Sequence, residues 1–372
     1  MFQSLLLVFV IALSFAGQQV PDPTAQFNRA IALQQQGKLE EAAAEYRALL
    51  KLKPDYAEAH ANLGVVLARL NRYDEAAASY ETALRLNPKL TPILLNLGIL
   101  YHRAGQFEKA VANLEKFLAA NPNHLQARQL LGIALVELGR DEEAIAQLEP
   151  IFTAGTEDSA ALYSLGLAYV RLDKARQQDV IDRLASLPSG VAVSRLLRGQ
   201  AWLKRLEFEK AVAELLEAQK LNPELPRVSY SLGLCYVKMG RNKDAVAAFE
   251  SELRRNPHDF ATLYYLASMQ EAEGHLEAAR KNLEAAIQLA PQSTEANALL
   301  SKILSKQGSG SDAVSALEKA VATDPADPIK RYQLARLYRQ LGRKADADRE
   351  FAEVQRLKDE QLKKDRARTP KP

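Results

Sequence analysis

An all-α solenoid of antiparallel helix pairs is the architecture to which this chain of 372 residues points. Three regularities carry that expectation. Prolines recur at Pro54, Pro88 and Pro122, and again at Pro223, Pro257, Pro291 and Pro325, 34 residues apart within each group. Small residues stand 24 positions before these prolines, as at Gly64, Gly98, Gly199 and Gly233, and alanines stand 12 before them, as at Ala42, Ala76, Ala211 and Ala245. Between these marks the apolar residues keep i, i+3, i+4 spacing, which gives each helix one sticky face. A fixed period of this length means stacked helical units rather than one globular core.

Within each unit, the small residues mark where the two helices cross closely, since a larger side chain would push them apart. A Gly or Asn follows the first helix (Gly37, Asn71, Gly105, Gly139, Gly240, Gly274, Gly308, Gly342), where a left-handed C-cap is needed. Pairs such as Asn87-Pro88 and Asp324-Pro325 end the second helix, because the residue before Pro avoids the helical region. Units begin near residues 23, 57, 91, 125, 159, 192, 226, 260, 294 and 328. Residues 23–156 are expected to hold units one to four, 157–191 a degenerate fifth, 192–357 units six to ten, and 358–372 a charged capping helix and tail.

The fourth and fifth units depart from the pattern. Pro150 falls inside a second helix, where it removes a backbone donor and crowds the carbonyl of Ala146. Gln178 stands where alanine is expected. Two readings stay open: a local irregularity in one continuous stack, or a hinge at 157–191 between two arrays. From Pro328 onward there are 14 Lys+Arg against 7 Asp+Glu, so this end carries +7 while the rest carries −4. A solvated cover over the terminal repeat explains that, with an electrostatic dock as the alternative.

At the N-terminus, Leu5 to Ala16 reads LLLVFVIALSFA. The run is short of the roughly 20 residues that span a bilayer. Ser14 and Ala16 are small residues at −3 and −1 of a cut after Ala16. Residues 1–16 are therefore expected to be a signal peptide and the protein to be extracytoplasmic, periplasmic or secreted. An uncleaved N-terminal anchor is the alternative, and the one membrane contact expected.

The repeat marks resemble the tetratricopeptide repeat family, whose signature is small residues at the eighth and twentieth positions, an aromatic or Leu at the eleventh and twenty-fourth, and Pro at the thirty-second. Trp202, Tyr101, Tyr236 and Tyr338 fill the eleventh here. The resemblance implies a right-handed superhelix whose first helices line a concave groove. It further implies a non-enzymatic protein-binding scaffold that holds an extended peptide or protein segment in that groove. Exported members resembling it act as accessories in envelope, secretion or pilus assembly.

Residues two positions from the packing positions lie about 200° round the helix axis, on the groove side. The sixth position carries Asn28, Asn62 and Asn96. A side-chain amide offers donor and acceptor, so such a ladder can pair with an extended backbone, or else bridge neighbouring repeats. The ladder stops at Leu130, Ser164, Leu197 and Ser231. The thirteenth position is basic at Arg69, Arg103, Arg171, Lys204 and Lys238. Tyr163 and Tyr230 at the fifth and Leu234 at the ninth add aromatic and apolar surface. Tyrosine flanked by arginine is the composition of interface hot spots. The expected ligand is thus an extended, partly apolar protein segment with acidic residues. The carboxylate clamp of the family's chaperone-tail binders is not matched: Phe27, Ile31, Pro92 and Asn96 stand at its other positions, and Asn62 alone fits.

Other chemistry has little support. His60, His102, His124, His258 and His275 are scattered over different units, and neither paired cysteines nor a phosphate-loop motif occurs. No metal, cofactor, small-molecule substrate or catalytic activity is expected. Cys235 is the single cysteine, so no intramolecular disulfide forms, and its apolar repeat equivalents predict a buried thiol. A formal charge of +3, with Glu271 and Glu295 among the lysines, makes nucleic acid a poor partner. A self-associating structural scaffold is the alternative to a groove-binding adaptor.

Overall fold

The computed structural model describes residues 22–368, so the apolar run at 5–16 and the last residues of the tail lie outside the described residues. Every regular element among the described residues is an α-helix. None of these helices is long and apolar enough to cross a membrane. The chain divides into two compact units, at 156/157.

In the first unit, α1 (Pro23–Gln35), α3 (Ala57–Arg69), α5 (Pro92–Arg103) and α7 (Leu125–Glu137) alternate with α2 (Leu39–Leu52), α4 (Tyr73–Leu86), α6 (Phe107–Ala120) and α8 (Asp141–Thr153). Each odd helix packs on the even helix after it, and each even helix on the next odd one. The first helix starts with Pro23 in its first turn and the Asp22 carboxylate accepting from the Thr24 N–H. It ends with Gly37 at φ 77° and a bond from the Lys38 N–H to the Leu33 carbonyl, 3.0 Å, which closes the turn into α2. The same closure recurs at Arg72 to Leu67, Gln106 to Tyr101 and Arg140 to Leu135. Close crossing is explicit at Gly64: a Cβ there would lie 2.6 Å from the Tyr80 ring. Pro150 stays within α8.

The second unit starts with α9 (Ser159–Arg171) and the shortened α10 (Gln177–Ser186), then α11 (Val191–Lys204) and α12 (Phe208–Leu221). It continues through α13 (Val228–Lys238), α14 (Asn242–Arg255), α15 (Phe260–Ala272), α16 (Leu276–Leu289), α17 (Thr294–Lys306) and α18 (Gly310–Thr323) to α19 (Pro328–Gln340) and α20 (Lys344–Arg368). Asp182 occupies the place on α10 where other second helices carry Tyr, Leu or Phe. The space above Gly166 is filled instead by Leu197 of α11, whose Cδ2 would lie 2.2 Å from a Cβ there. Val180, Ile181 and Leu184 are buried all the same, so the irregular pair keeps a core with shifted partners. Cys235 is fully buried, and burial pushes its thiol up to about 12.

At the C-terminal end, α20 runs on through residues 358–368 and spans 25 residues in all. Asp359 stands where Pro ends other second helices. Phe351 is covered from within its own pair, by the Tyr332 ring at 5.7 Å and the Arg339 guanidinium at 5.5 Å.

Candidate functional site

Side chains on the first helices that the helix-pair cores leave unused form the open surface of both units. In the first unit, an open cleft of about 400 Å³ is walled by Phe27, Ile31, Val65 and Ile93, with Asn62 and Asn96 also lining it. Asn96 also borders a smaller cleft beside Ile99 and Arg103. The Asn62 amide lies beside the phenol of Tyr46, whose hydroxyl donates to Gln34 Oε1 at 3.0 Å, and the Asn96 amide beside that of Tyr80, each tyrosine belonging to the preceding pair. Burial pushes both phenols up to about 12, and the amides pull the other way. Each amide thus reaches the preceding pair while still lining the cleft, which keeps both uses of the ladder available. Asn28, on the first described helix, is exposed, as is Arg69.

The end of the ladder coincides with a change in the preceding pair. Where the preceding pair presents Leu114 instead of tyrosine, the sixth position is Leu130. Where it presents Phe249, the position is Tyr265, stacked on that ring at 5.8 Å and 16°. An amide stands at the sixth position where the preceding pair presents a tyrosine.

In the second unit the predicted residues separate into two groups. Tyr163 exchanges hydrogen bonds with the side chain of Gln200, which also donates to Ser231 at 3.3 Å, tying three successive first helices together. Tyr230 lies 6.1 Å from both Phe249 and Tyr265, and Leu234 packs on the same cluster. Burial pushes the Tyr230 phenol up to about 12, with Arg227 and Arg171 opposing it. Arg171 is thus near the aromatic cluster, whereas Lys204 and Lys238 are exposed.

A wider cleft, about 670 Å³, lies further along, among α15, α17 and α19. Its walls carry Lys302, Lys306, Lys330 and Arg336 above an apolar floor that includes Leu299 and Leu337. Beneath the lysines sits Glu271, whose side chain is 4% exposed, 2.7 Å from Lys302 Nζ and 2.5 Å from Lys306 Nζ. Burial would raise that carboxyl, but the two ammonium groups outweigh it and hold the carboxyl below the usual range. Asp327 is committed elsewhere: it caps α19 through the N–H groups of Ile329 and Lys330 and pairs with the Lys330 ammonium. Sequence reasoning stopped short of this cleft, because Glu271 and Glu295 appeared to cancel the lysines. The available signal was a change at the ninth position, aliphatic early in the chain but Lys302 and Arg336 near its end. Among the described residues no group of three His, Cys, Asp or Glu is placed to hold a metal ion.

Family models described as Tetratricopeptide repeat match residues 27–90 and 230–294, 63–131, and 101–168 and 270–329. The chain belongs to the tetratricopeptide repeat family. Among curated proteins, Tetratricopeptide repeat protein 28 of Mus musculus and that of Homo sapiens are each 35% identical over 75 residues, 20% of this chain. That alignment spans 3% of those relatives' length. Among solved structures, MamA 41-end from Desulfovibrio magneticus RS-1 is 24% identical, with a TM-score of 0.44 over 46% of this chain and 96% of that one. A crystal structure of MamA is 20% identical, with a TM-score of 0.43 over 44% and 96%. Tetratricopeptide repeats as a family generally bind protein partners.

Proposed function

We propose that this tetratricopeptide repeat protein is a non-catalytic scaffold that holds an extended segment of a protein partner against its first helices. The observation that carries this reading is the cleft among α15, α17 and α19, which is open, floored by apolar side chains and walled by polar ones. Such a mixture suits an adaptable protein ligand, since apolar contacts supply area and a few polar groups fix register. The Tyr230–Leu234 surface is a second contact stretch of the same kind. Export is part of the proposal, on the strength of the apolar run at Leu5–Ala16 followed by small residues. An extracytoplasmic assembly role, in envelope, secretion or pilus building, is the setting proposed.

The test is site-specific photo-crosslinking in the native host, with a crosslinker at Leu234 or Gln333 and a control at the exposed Lys243 of α14. Discrete adducts with another protein from Leu234 or Gln333 but not from Lys243 are expected, recovered from the extracytoplasmic fraction as a form lacking residues 1–16. Equal adducts from all three positions, or only self-adducts, would replace the adaptor with a self-associating scaffold.

A further inference from the structure

We infer that the cleft among α15, α17 and α19 selects an acidic segment, with carboxylates on alternate residues of an extended partner beside an aliphatic side chain. The inference rests on the scaffold reading above and specifies its ligand. Four cations line the cleft against two carboxylates, Glu295 and Asp327. Asp327 is consumed by Lys330 and by the start of α19, which leaves Lys302, Lys306 and Arg336 as the cations that face a ligand.

Glu271 does not quench the two lysines; it positions them. Its carboxylate is buried beneath them while their side chains remain 58% and 48% exposed, so donors are left over on the open side. An ammonium has three N–H donors, and a single contact to Glu271 uses one. Two long side chains tethered at their tips have less freedom to lose when an anion arrives. Spacing sets the ligand's pattern. Lys302 and Lys306 are one helical turn apart, about 6 Å at their Cβ atoms. Alternate side chains of an extended chain recur on one face at about 7 Å, so an acid-x-acid sequence reaches both. Arg336 on the facing helix and Ile329, which is 67% exposed, then meet the flanking residues.

Two contrasts sharpen the choice. The cleft of the first unit has no Lys or Arg among its lining residues, so it offers nothing to an acidic ligand. A nucleic-acid strand fits the second cleft poorly, because Tyr264 is its single aromatic lining residue and Glu295 would oppose a continuous phosphate chain.

The test passes a degenerate library of peptides of about 12 residues, long enough to cross the cleft when extended, over the immobilised full chain. The retained pool is sequenced. Asp or Glu at positions i and i+2 next to Leu, Ile or Val is expected to be enriched about threefold or more, and Lys302→Gln with Arg336→Gln to abolish that enrichment. Lys281→Gln, on the exposed side of α16, serves as the charge control and is expected to leave it intact. Helicity of the variants is checked by circular dichroism. Selected sequences without acidic bias, or a bias that survives the double substitution, overturn the acidic ligand and leave the scaffold reading standing. Recovery of no selected sequence overturns both. Tighter retention of a poly-deoxythymidine strand than of the selected peptides overturns the inference in favour of phosphate binding.

Discussion

Leu206 holds φ at 64° in the turn between α11 and α12, where Gly105 and Gly240 serve other pairs, and its side chain is 69% exposed. An L-residue in that region costs about 1–2 kcal/mol, and exposure returns little of it. Leu206→Gly is therefore expected to stabilise the protein by about 0.5–1 kcal/mol, once glycine's extra freedom in the unfolded chain is subtracted. Urea unfolding measures this, and a lowered midpoint would show that Leu206 contributes packing that outweighs its backbone strain. The comparison with the other turns shows how residue-level legibility works. Gly and Asn advertise a left-handed turn because few residues tolerate it, so Gly37 and Asn71 could be placed from sequence. Leu206 adopts the same conformation with nothing in its chemistry to announce it, whereas Asp173 carries a short polar side chain that tolerates it and so gives a fainter signal than glycine. The asparagines were likewise visible as a ladder, but their partners, Tyr46 and Tyr80, lie in the preceding pair and appear only on folding.

At the scale of the helix, α13 starts at Arg227 with no side-chain cap of its own and φ 68° at the cap residue. The missing acceptor comes from α14, where the Glu252 carboxylate accepts from the Arg227 N–H at 3.1 Å and the Tyr230 N–H at 3.3 Å. A buried carboxylate at a helix N-terminus also complements the helix dipole. Glu252→Ala strands both donors and is expected to cost about 2 kcal/mol. Glu252→Gln keeps one acceptor oxygen and is expected to lose about half as much. Urea midpoints of the two variants, with amide exchange at Tyr230, check the order; equal losses would point to charge rather than the cap. This device was hidden from sequence because caps are sought at the N-cap position, not 25 residues downstream. The run of α20 past residue 358 follows from Asp359 offering no stop of the kind Pro supplies.

Across the whole molecule, the 34-residue register, the helix-pair architecture and most turn positions were legible, because period and apolar spacing are properties of sequence alone. The cationic cleft was less so, since formal charges cancel on paper while Glu271 is buried and the lysines above it are not. Contacts in such a stack pass between neighbours, and the juxtaposition of Tyr46 with Asn62 and of Tyr80 with Asn96 makes some of those junctions specific. That specificity bears on how such a gene can change length. Unequal recombination removes one period at a time, and the losses are not equivalent. Loss of residues 57–90 would bring Tyr46 against Asn96, a ready-made match. Loss of residues 91–124 would bring Tyr80 against Leu130 and replace the amide beside that buried phenol with an aliphatic side chain, at about 1 kcal/mol. The shorter chain lacking 57–90 is therefore expected to outlast the one lacking 91–124 in urea, although both preserve the reading frame and the repeat period. A repeat array of this kind carries a grammar at its joints, and its history of gains and losses is constrained by which neighbours agree.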